Sequence, residues 1–458
     1  MRFFVNHPNG RLFHCSRVIL LLVAIAGCVP EEISEPTPAE PEPVLPSLVC
    51  APFVKTGYTD KVSYFPGEKM KIFFDSKETV SLCRITVYDV NGDSVLSAGS
   101  ELPTVPTLLA DASQNGFNFP VAVEFTLPEM ASGVYLIEKK IPFIVKTKEN
   151  VDVIIVYPSN TANAYANAGG ESLYSPLPRS GIVSFHRPIP LQAFSVSCLQ
   201  WFTSLEGMRL GYIADIDMDR FENIQKARVI VVPGHSEYWS RHARLNFDRF
   251  VDSGNDALIL SGNTMWWQVR YSGDESQLIC HKDATLDPFH DALFKTIEWS
   301  TPSLQYSILS SIGAHFPLGG YGQRSDYGWD GFKIVQPASP LFEGLNLKRG
   351  DIISLPTVEY DGAPVAGQDQ YGYPLVDNEA LGFNKIELLG FDKGFRGVET
   401  TATFIVFQKS PTSGIIVNTA STDWCSASGM GGTSGTVIKK ITHNALIKLL
   451  NNDRVFSN

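Results

Sequence analysis

Polar side chains of unusual type collect in four loops that each follow a predicted strand. His235 and Glu237 stand two residues apart, so in an extended loop both side chains point the same way. The other loops hold Asn160, Tyr165, Asn167 and Tyr174, then Ser261-Gly262-Asn263, then Glu359, Tyr360 and Asp361. A carboxylate beside phenolic oxygens is a hard, anionic ligand set. It suits a Lewis-acidic metal such as ferric iron better than zinc, which prefers imidazole and thiolate.

The same residues also fit purely structural roles. His235 and Glu237 could belong to a helix-entry loop, where a carboxylate meets the positive end of the helix dipole. Tyr165 and Tyr174 could pack with satisfied hydroxyl groups. The residue types alone leave both interpretations open.

Covalent catalysis by Ser or Cys is not expected. Ser261-Gly262-Asn263 occupies the strand–turn–helix position of a nucleophile elbow, but neither G-x-S-x-G nor G-x-C-x-G occurs there. Asn263 cannot attack a carbonyl carbon, although its amide can hydrogen-bond a carbonyl or an oxyanion.

The elements that must position these loops alternate between strand and helix. Apolar runs predict strands at Val151–Tyr157, Gly211–Ile216, Arg228–Pro233 and Ala257–Asn263, with helices over 191–205 and from the cap Ser240 to Gly254. This order predicts a doubly wound α/β sheet, in which loops at the carboxyl ends of parallel strands meet at one edge. Residues 266–350 are less regular and predict an insertion that walls a pocket. Later strands are predicted at Lys385–Leu389, Thr403–Phe407 and Gly414–Thr419, before a final amphipathic helix.

A different pattern precedes this region. From 50 to 148 several short strands alternate apolar and polar residues between turn signals such as Asn91-Gly92. This predicts an immunoglobulin-like β-sandwich that serves as a spacer or accessory domain. Cys50 and Cys83 could pair in an oxidising compartment or remain as buried thiols.

The N-terminus predicts export and a lipid anchor. The apolar run Val18–Gly27 is too short to span a bilayer and follows three arginines, as in a secretory signal over 1–27. Ile25-Ala26-Gly27-Cys28 resembles a bacterial lipoprotein signal, in which Cys28 is lipidated. Residues 28–49 are rich in Pro and Glu and predict an extended stalk. We therefore expect a protein held at the bacterial cell envelope through an N-terminal lipid.

Charge excludes one class of partner. The chain of 458 residues has 37 Lys and Arg against 48 Asp and Glu, a net charge of −11, and no basic cluster. Nucleic-acid binding needs a basic face, so no nucleic-acid partner is expected.

A family resemblance lies in motifs that occur in one order. They are YPSNTANAYANAGGESLY, VSFHRP, VVPGHSEYWS, LSGN with WWQVR, VEYDG and NTASTDW. Together, over residues 150–458, they resemble the C-terminal domain of the N,N-dimethylformamidase large (beta) subunit. That family is similar in fold to class I glutamine amidotransferases but lacks their catalytic Cys, which agrees with Asn263 at the elbow.

The resemblance implies a mononuclear ferric ion held by two tyrosinates and a glutamate, here Tyr165, Tyr174 and Glu237. It places His235, Asn263 and Glu359 in the surrounding catalytic shell. The implied reaction is metal-assisted hydrolysis of an amide.

Two functions follow from these observations. The first is an envelope hydrolase, dependent on iron, for a small amide or another C–N bond. The second is a non-catalytic, lipid-anchored protein that binds glycans or other polymers through the aromatic residues of the insertion, namely Trp266, Trp267, Tyr321 and Trp329.

Overall fold

The computed structural model describes residues 4–5, 45–103, 108–322 and 328–457. Cys28, the apolar run Val18–Gly27 and the stalk as far as residue 44 lie outside the described residues. Within the described ranges, no helix combines the length and the apolar character needed to cross a bilayer.

The first part of the chain forms two sheets. One has the strand order β1-β6-β5-β8-β9-β3 and the other the order β2-β4-β7. Their strands, together with one short helix, are β1 Phe4–Val5, β2 Val54–Thr59, β3 Ser63–Tyr64, β4 Lys69–Ser76, β5 Val80–Asp89, β6 Ser94–Leu102, α1 Ala112–Asn115, β7 Val121–Thr126, β8 Gly133–Ile137 and β9 Ile141–Val145.

The two sheets bury a common core. In β4 every second side chain is buried, and Ile72 and Phe74 meet Ile85 of β5 and Phe143 of β9. A disulfide bond joins Cys50 to Cys83 and so ties the segment before β2 to β5. Of the two states that the sequence allowed for these cysteines, the structure therefore contains the bonded one.

The second part contains most of the helices and a large mixed sheet. Its elements are β10 Val153–Tyr157, α2 Ser159–Tyr165, β11 Ile182–Ser184, α3 Val196–Thr203, β12 Leu210–Ala214, β13 Val229–Gly234, β14 Tyr238–Ser240, α4 Arg241–Asp252, β15 Asp256–Ser261, β16 Trp267–Tyr271, β17 Gln277–Ile279, α5 Leu309–Ile312, α6 Phe316–Gly319, β18 Gly320–Tyr321, β19 Gly331–Ile334, β20 Ile352–Ser354, β21 Glu359–Gly362, β22 Val365–Gln368, β23 Pro374–Val376, α7 Asn378–Leu381, β24 Lys385–Phe395, β25 Glu399–Gln408, β26 Ile415–Asn418 and α8 Gly435–Asn451. Short 3-10 turns include Asp215–Asp219 and Pro340–Phe342.

Five strands of the large sheet are parallel, in the order β12-β10-β13-β15-β26. Strand β10 is buried along its whole length, with Val153 and Ile155 facing one core and Ile154 and Val156 facing another. Helices α3 and α8 contribute to the first core and α4 to the second. The continuous apolar runs of these strands reflect a sheet that is covered on both faces.

The other half of the sheet is antiparallel. Its strands at β24, β25 and β26 were predicted, but their antiparallel pairing was not. Strand β25 pairs antiparallel with β26, and β24 with β25, before the sheet continues through β18 to β21. Strands β24 and β25 form a long hairpin that turns at Gly397, where φ is +77°. The described residues thus form a mostly β and mixed α/β, multi-sheet structure with few helices.

The two parts of the chain pack directly against each other. Val90, Val134 and Ile144 of the first part belong to the same core as Val153 of β10 and Tyr212 of β12. The first part therefore supports the edge of the large sheet instead of standing apart from it.

Candidate functional site

Helix α2 and the loop after it bring Tyr165 and Tyr174 together. The two rings stack, with centroids 4.2 Å apart and planes 17° apart. The Tyr165 hydroxyl donates to Oε2 of Glu237 at 3.0 Å, and the Tyr174 hydroxyl donates to Oε1 of the same carboxylate at 2.7 Å. Although 44% of Tyr165 is exposed, its hydroxyl group thus reaches a carboxylate whose residue is only 1% exposed.

Arg187, which sequence reasoning did not single out, fixes the loop between the tyrosines. Its Nη1 donates to the carbonyls of Ala168 and Glu171, at 2.9 and 2.8 Å, and its Nη2 donates to the carbonyl of Asn163 at 2.7 Å. Its Nε donates to Oδ1 of Asn163 and to the carbonyl of Ser184. Burial lowers the pKa of Arg187 to about 10, so the guanidinium stays charged at neutral pH.

Glu237 and His235 lie in the turn after β13. The turn begins at Gly234, where φ is +76°. Glu237 donates its backbone N–H to Oγ1 of Thr161 at 2.9 Å, and Gln192 hydrogen-bonds both the N–H and the carbonyl of His235. Glu237 precedes a strand, and it is Ser240 that caps α4 by accepting from the Ala243 N–H at 2.9 Å. The helix-entry interpretation of Glu237 is therefore wrong, because its carboxylate accepts from two phenols instead.

His235 lies between two carboxylates. Its Nε2 is 3.5 Å from Oε2 of Glu237 and 3.3 Å from Oε2 of Glu359. This nitrogen is buried and, among the described residues, has no partner in hydrogen-bonding geometry. The ring also stands edge-to-face against Phe194, with centroids 5.7 Å apart. Nε2 of His235 is therefore available to form a hydrogen bond with a group that enters the site.

Asn263 and Glu359 complete the polar group. Asn263 follows β15 with φ at +47°, and its Nδ2 donates to Oε2 of Glu359 at 3.2 Å. Burial raises the pKa of Glu359, and the charge of Glu237 adds to the rise, while His235 and Asn263 oppose it. Glu359 begins β21, although the sequence placed it in a loop after a strand. It reaches the site because its carbonyl accepts from the Thr422 N–H, at 3.1 Å, beyond the end of β26.

Lys282 is a second functional candidate that the sequence did not reveal. Its Nζ lies 3.6 Å from the centre of the Tyr174 ring, 4.7 Å from that of Trp267 and 5.2 Å from that of Tyr238. The ammonium is buried and finds no hydrogen-bond acceptor in the part of the chain that the structure describes, and burial lowers its pKa to about 8. The faces of aromatic rings stabilise such a cation. No sequence signal marks a lysine that is held by ring faces in an irregular segment.

A cavity of about 580 Å³ opens onto this group. Tyr165, His235 and Glu359 line its polar end, and the segment Pro190–Phe194 lines much of the remaining wall. The site is therefore accessible to a small molecule.

The donor set of the site can be compared with what metals require. Among the described residues, no group of three or more His, Cys, Asp or Glu side chains could hold a metal ion. Tyr165, Tyr174 and Glu237 instead offer two phenolic oxygens and a carboxylate that already meet within hydrogen-bonding distance. Burial is the main cause that raises the pKa of both phenols, and the charge of Glu237 raises it further. Both phenols are therefore protonated when no metal ion is bound beside them. A trivalent ion that replaced both protons would fit this oxygen set.

Comparison with known families decides the assignment of the chain. The family described as N,N-dimethylformamidase beta subunit-like, C-terminal, matches residues 79–433. The chain belongs to this family. The match begins just before β5 and includes all six candidate residues of this dimethylformamidase-like chain, from Tyr165 to Glu359.

Other comparisons are more distant. None of the curated proteins matches the chain. A solved protein from Bacteroides uniformis, described as ThuA-like, is 10% identical over 66% of this chain and 91% of its own, with a TM-score of 0.35. A β-galactosidase from Bacillus circulans sp. alkalophilus is 10% identical over 65% of this chain and 31% of its own, with a TM-score of 0.32. Neither score is high enough to establish a shared fold.

The four aromatic residues considered for polymer binding do not form one surface in the dimethylformamidase-like chain. Trp266 and Trp267 are only 5% and 8% exposed, and they pack in a core with Tyr238 and Phe316. Tyr321 is 39% exposed. Trp329 is half-buried, and Lys333 lies 3.6 Å from the centre of its ring. The expectation that Trp266 and Trp267 present ring faces to a ligand is therefore wrong, because both rings fill the interior.

Proposed function

We propose that this dimethylformamidase-like chain hydrolyses an amide or another C–N bond with the help of a ferric ion. The observation that carries the proposal is the convergence of two phenols on the buried Glu237, with His235, Glu359 and Asn263 immediately beside them. Family membership supports a role similar to that of an amidohydrolase.

Tyr165, Tyr174 and Glu237 are the residues that would hold the ion. When bound, ferric iron supplies Lewis acidity toward an amide oxygen or a water molecule. Glu237 accepts from both phenols, and Arg187 fixes the loop between the two tyrosines, so the three side chains are positioned in advance.

His235, Glu359 and Asn263 would handle protons and charge. Glu359, whose pKa is raised by burial, is suited to take a proton from attacking water and return it to the leaving amine. His235 lies between the two carboxylates and can share that proton through Nε2. The Asn263 amide can turn its Nδ2 from Glu359 toward an oxyanion that forms beside it.

Metal analysis and an assay for amine release test this proposal together. We expect purified protein to hold about one iron per chain and to show a tyrosinate-to-iron charge-transfer colour. Glu359→Gln should retain the iron but release amine roughly 100-fold more slowly from a series of neutral N,N-dimethylamides of different acyl length, because a general base is lost. A colourless, iron-free protein that releases no amine would contradict the proposal.

We also propose that Cys28 carries a lipid and anchors the chain at the bacterial cell envelope. The signal-like run before it and the Pro/Glu-rich segment after it support this. In a bacterial host, the full chain is expected in the membrane fraction and Cys28→Ala in the soluble fraction. The exposed Leu286→Ala is the matched control, and equal distribution of wild type and Cys28→Ala would refute the anchor.

For the fold, we propose an immunoglobulin-like sandwich followed by a variant of the glutamine-amidotransferase-like fold. Two sheets around one core support the first assignment, and the five parallel strands support the second. The domain boundary near residue 149 stays a prediction. An experimental structure with different strand connections in either part would contradict these assignments.

A further inference from the structure

We propose that the cavity at this site takes a neutral amide that carries a long apolar group, and not a one-carbon formamide. Only the amide end of this ligand rests on the proposed function. The apolar and uncharged character follows from the cavity itself.

Size is the first argument. The cavity measures about 580 Å³, which lies within the roughly 300–1,000 Å³ of sites that bind drug-sized ligands. A formamide with two N-methyl groups would occupy only a small part of this space. The rest of the cavity would then hold water against its walls.

The walls are the second argument. Away from the polar end, the lining includes Ala162, Ala166, Pro190, Leu191 and Phe194. Leu191 and Phe194 are half-buried and Ala193 is exposed, so the segment Pro190–Phe194 offers apolar surface that the other described residues cover only in part. A ligand that buries this surface gains affinity with each methylene group that it places there.

Charge is the third argument. Among the described residues that line the cavity, none is Lys or Arg, and the ionisable ones are Tyr165, His235 and Glu359. Lys282 contacts the Tyr174 ring and does not line the cavity. When no metal ion is bound, a carboxylate or phosphate on the ligand would therefore approach Glu359 without a cation to compensate its desolvation. The chemistry favours a neutral ligand.

The orientation follows from these arguments. The carbonyl end of the ligand belongs at Tyr165, His235 and Glu359, where the hydrogen-bonding groups are, and the apolar group belongs along Pro190–Phe194. Specificity would then lie in the apolar wall, because the polar end recognises only the amide.

Ketones separate binding from hydrolysis because they have a carbonyl group but no C–N bond to cleave. In calorimetric titrations of the full chain, freed of metal by a chelator so that no ion attracts a carboxylate, we expect 2-decanone to bind at least about 100-fold more tightly than 2-butanone. Decanoate, with a similar chain but a charge, should bind at least about 10-fold more weakly than 2-decanone.

A variant at the rim locates the binding site. Ala193→Trp should weaken binding of 2-decanone at least about 10-fold by filling the mouth of the cavity. Leu286→Trp, at a 68% exposed position that does not line the cavity, should leave binding unchanged. Circular dichroism and the melting temperature establish that both variants are folded, and Leu191→Asn provides a second variant of the wall with the same expected loss.

The possible outcomes distinguish this inference from the proposed function. Equal affinity for the two ketones, decanoate binding as tight as 2-decanone, or unchanged binding in both wall variants would overturn the inference, even if small amides are hydrolysed. Selective binding of 2-decanone by a protein that releases no amine would support the inference while the proposed function fails.

Discussion

Glu237→Ala is expected to give a folded protein that no longer retains iron. Glu237 is the shared acceptor of both phenol hydroxyls, at 3.0 and 2.7 Å, and would itself supply a carboxylate ligand. Removing it takes away one of three proposed donors and leaves two hydroxyl groups without their acceptor. We expect the affinity for ferric iron to fall by on the order of 100-fold or more, since even changes outside the ligand set cost about 10- to 100-fold.

Iron content and the charge-transfer band measure this effect directly. Glu237→Gln keeps the size of the side chain and an oxygen that can accept from one phenol, so it separates loss of charge from loss of packing. Glu206→Ala, at an exposed glutamate, is the matched control and should retain the iron of the wild type. Full iron occupancy with unchanged colour in Glu237→Ala would show that these residues do not hold the metal.

The contrast with Glu359→Gln makes the assignment of roles specific. Both carboxylates lie within 3.5 Å of Nε2 of His235, so proximity alone does not distinguish them. Glu237 accepts from the two tyrosines, whereas Glu359 accepts from Asn263 and lines the cavity. Loss of iron is therefore expected for the first substitution, and loss of turnover with iron retained for the second.

Local sequence patterns predicted the parallel strands and their helices. Val153–Tyr157 and Val229–Gly234 are almost wholly apolar, and Ser240 is a strong helix cap, so each element is encoded within a short window. The antiparallel half of the sheet depends on pairing between strands as short as β18, with two residues, and on a hairpin that turns at Gly397. Such pairing is decided by contacts distant in sequence, which a local pattern does not contain.

The sequence also indicated the reactive side chains better than the residues that position them. Six residues were recognisable through their types and their motifs, and the structure brings them together. They are Tyr165, Tyr174, His235, Glu237, Asn263 and Glu359. Arg187 was missed because most of its partners are backbone carbonyls, and Lys282 was missed because its partners are the faces of aromatic rings. Such groups occur in every sequence and mark no particular partner. Trp266 and Trp267 were misassigned because an aromatic residue in an irregular segment carries no signal of the direction in which its ring points.

Arg187→Met is expected to destabilise the protein and to disorganise the pair of tyrosines. The guanidinium is fully buried and makes five hydrogen bonds that tie Asn163, Ala168, Glu171 and Ser184 together. Methionine fills similar space but leaves the accepting carbonyls without a donor, and each buried group of this kind costs about 1–3 kcal/mol. Relaxation of the loop recovers part of that cost, so we expect a loss of about 3–5 kcal/mol in the free energy of unfolding.

Urea unfolding measures the stability of Arg187→Met, and iron binding measures the placement of Tyr165 and Tyr174. Arg187→Lys keeps the charge but cannot reproduce the planar arrangement of donors, so it should fall between wild type and Arg187→Met. Arg209→Met removes an exposed arginine that pairs with Asp152 and should change neither property noticeably. Wild-type iron affinity in a destabilised Arg187→Met would show that the guanidinium stabilises the fold without positioning the tyrosines. Loss of iron under conditions where the variant is still folded would show that the guanidinium does both. Among the described residues, no other buried cation donates a hydrogen bond to the carbonyls of the loop between Tyr165 and Tyr174.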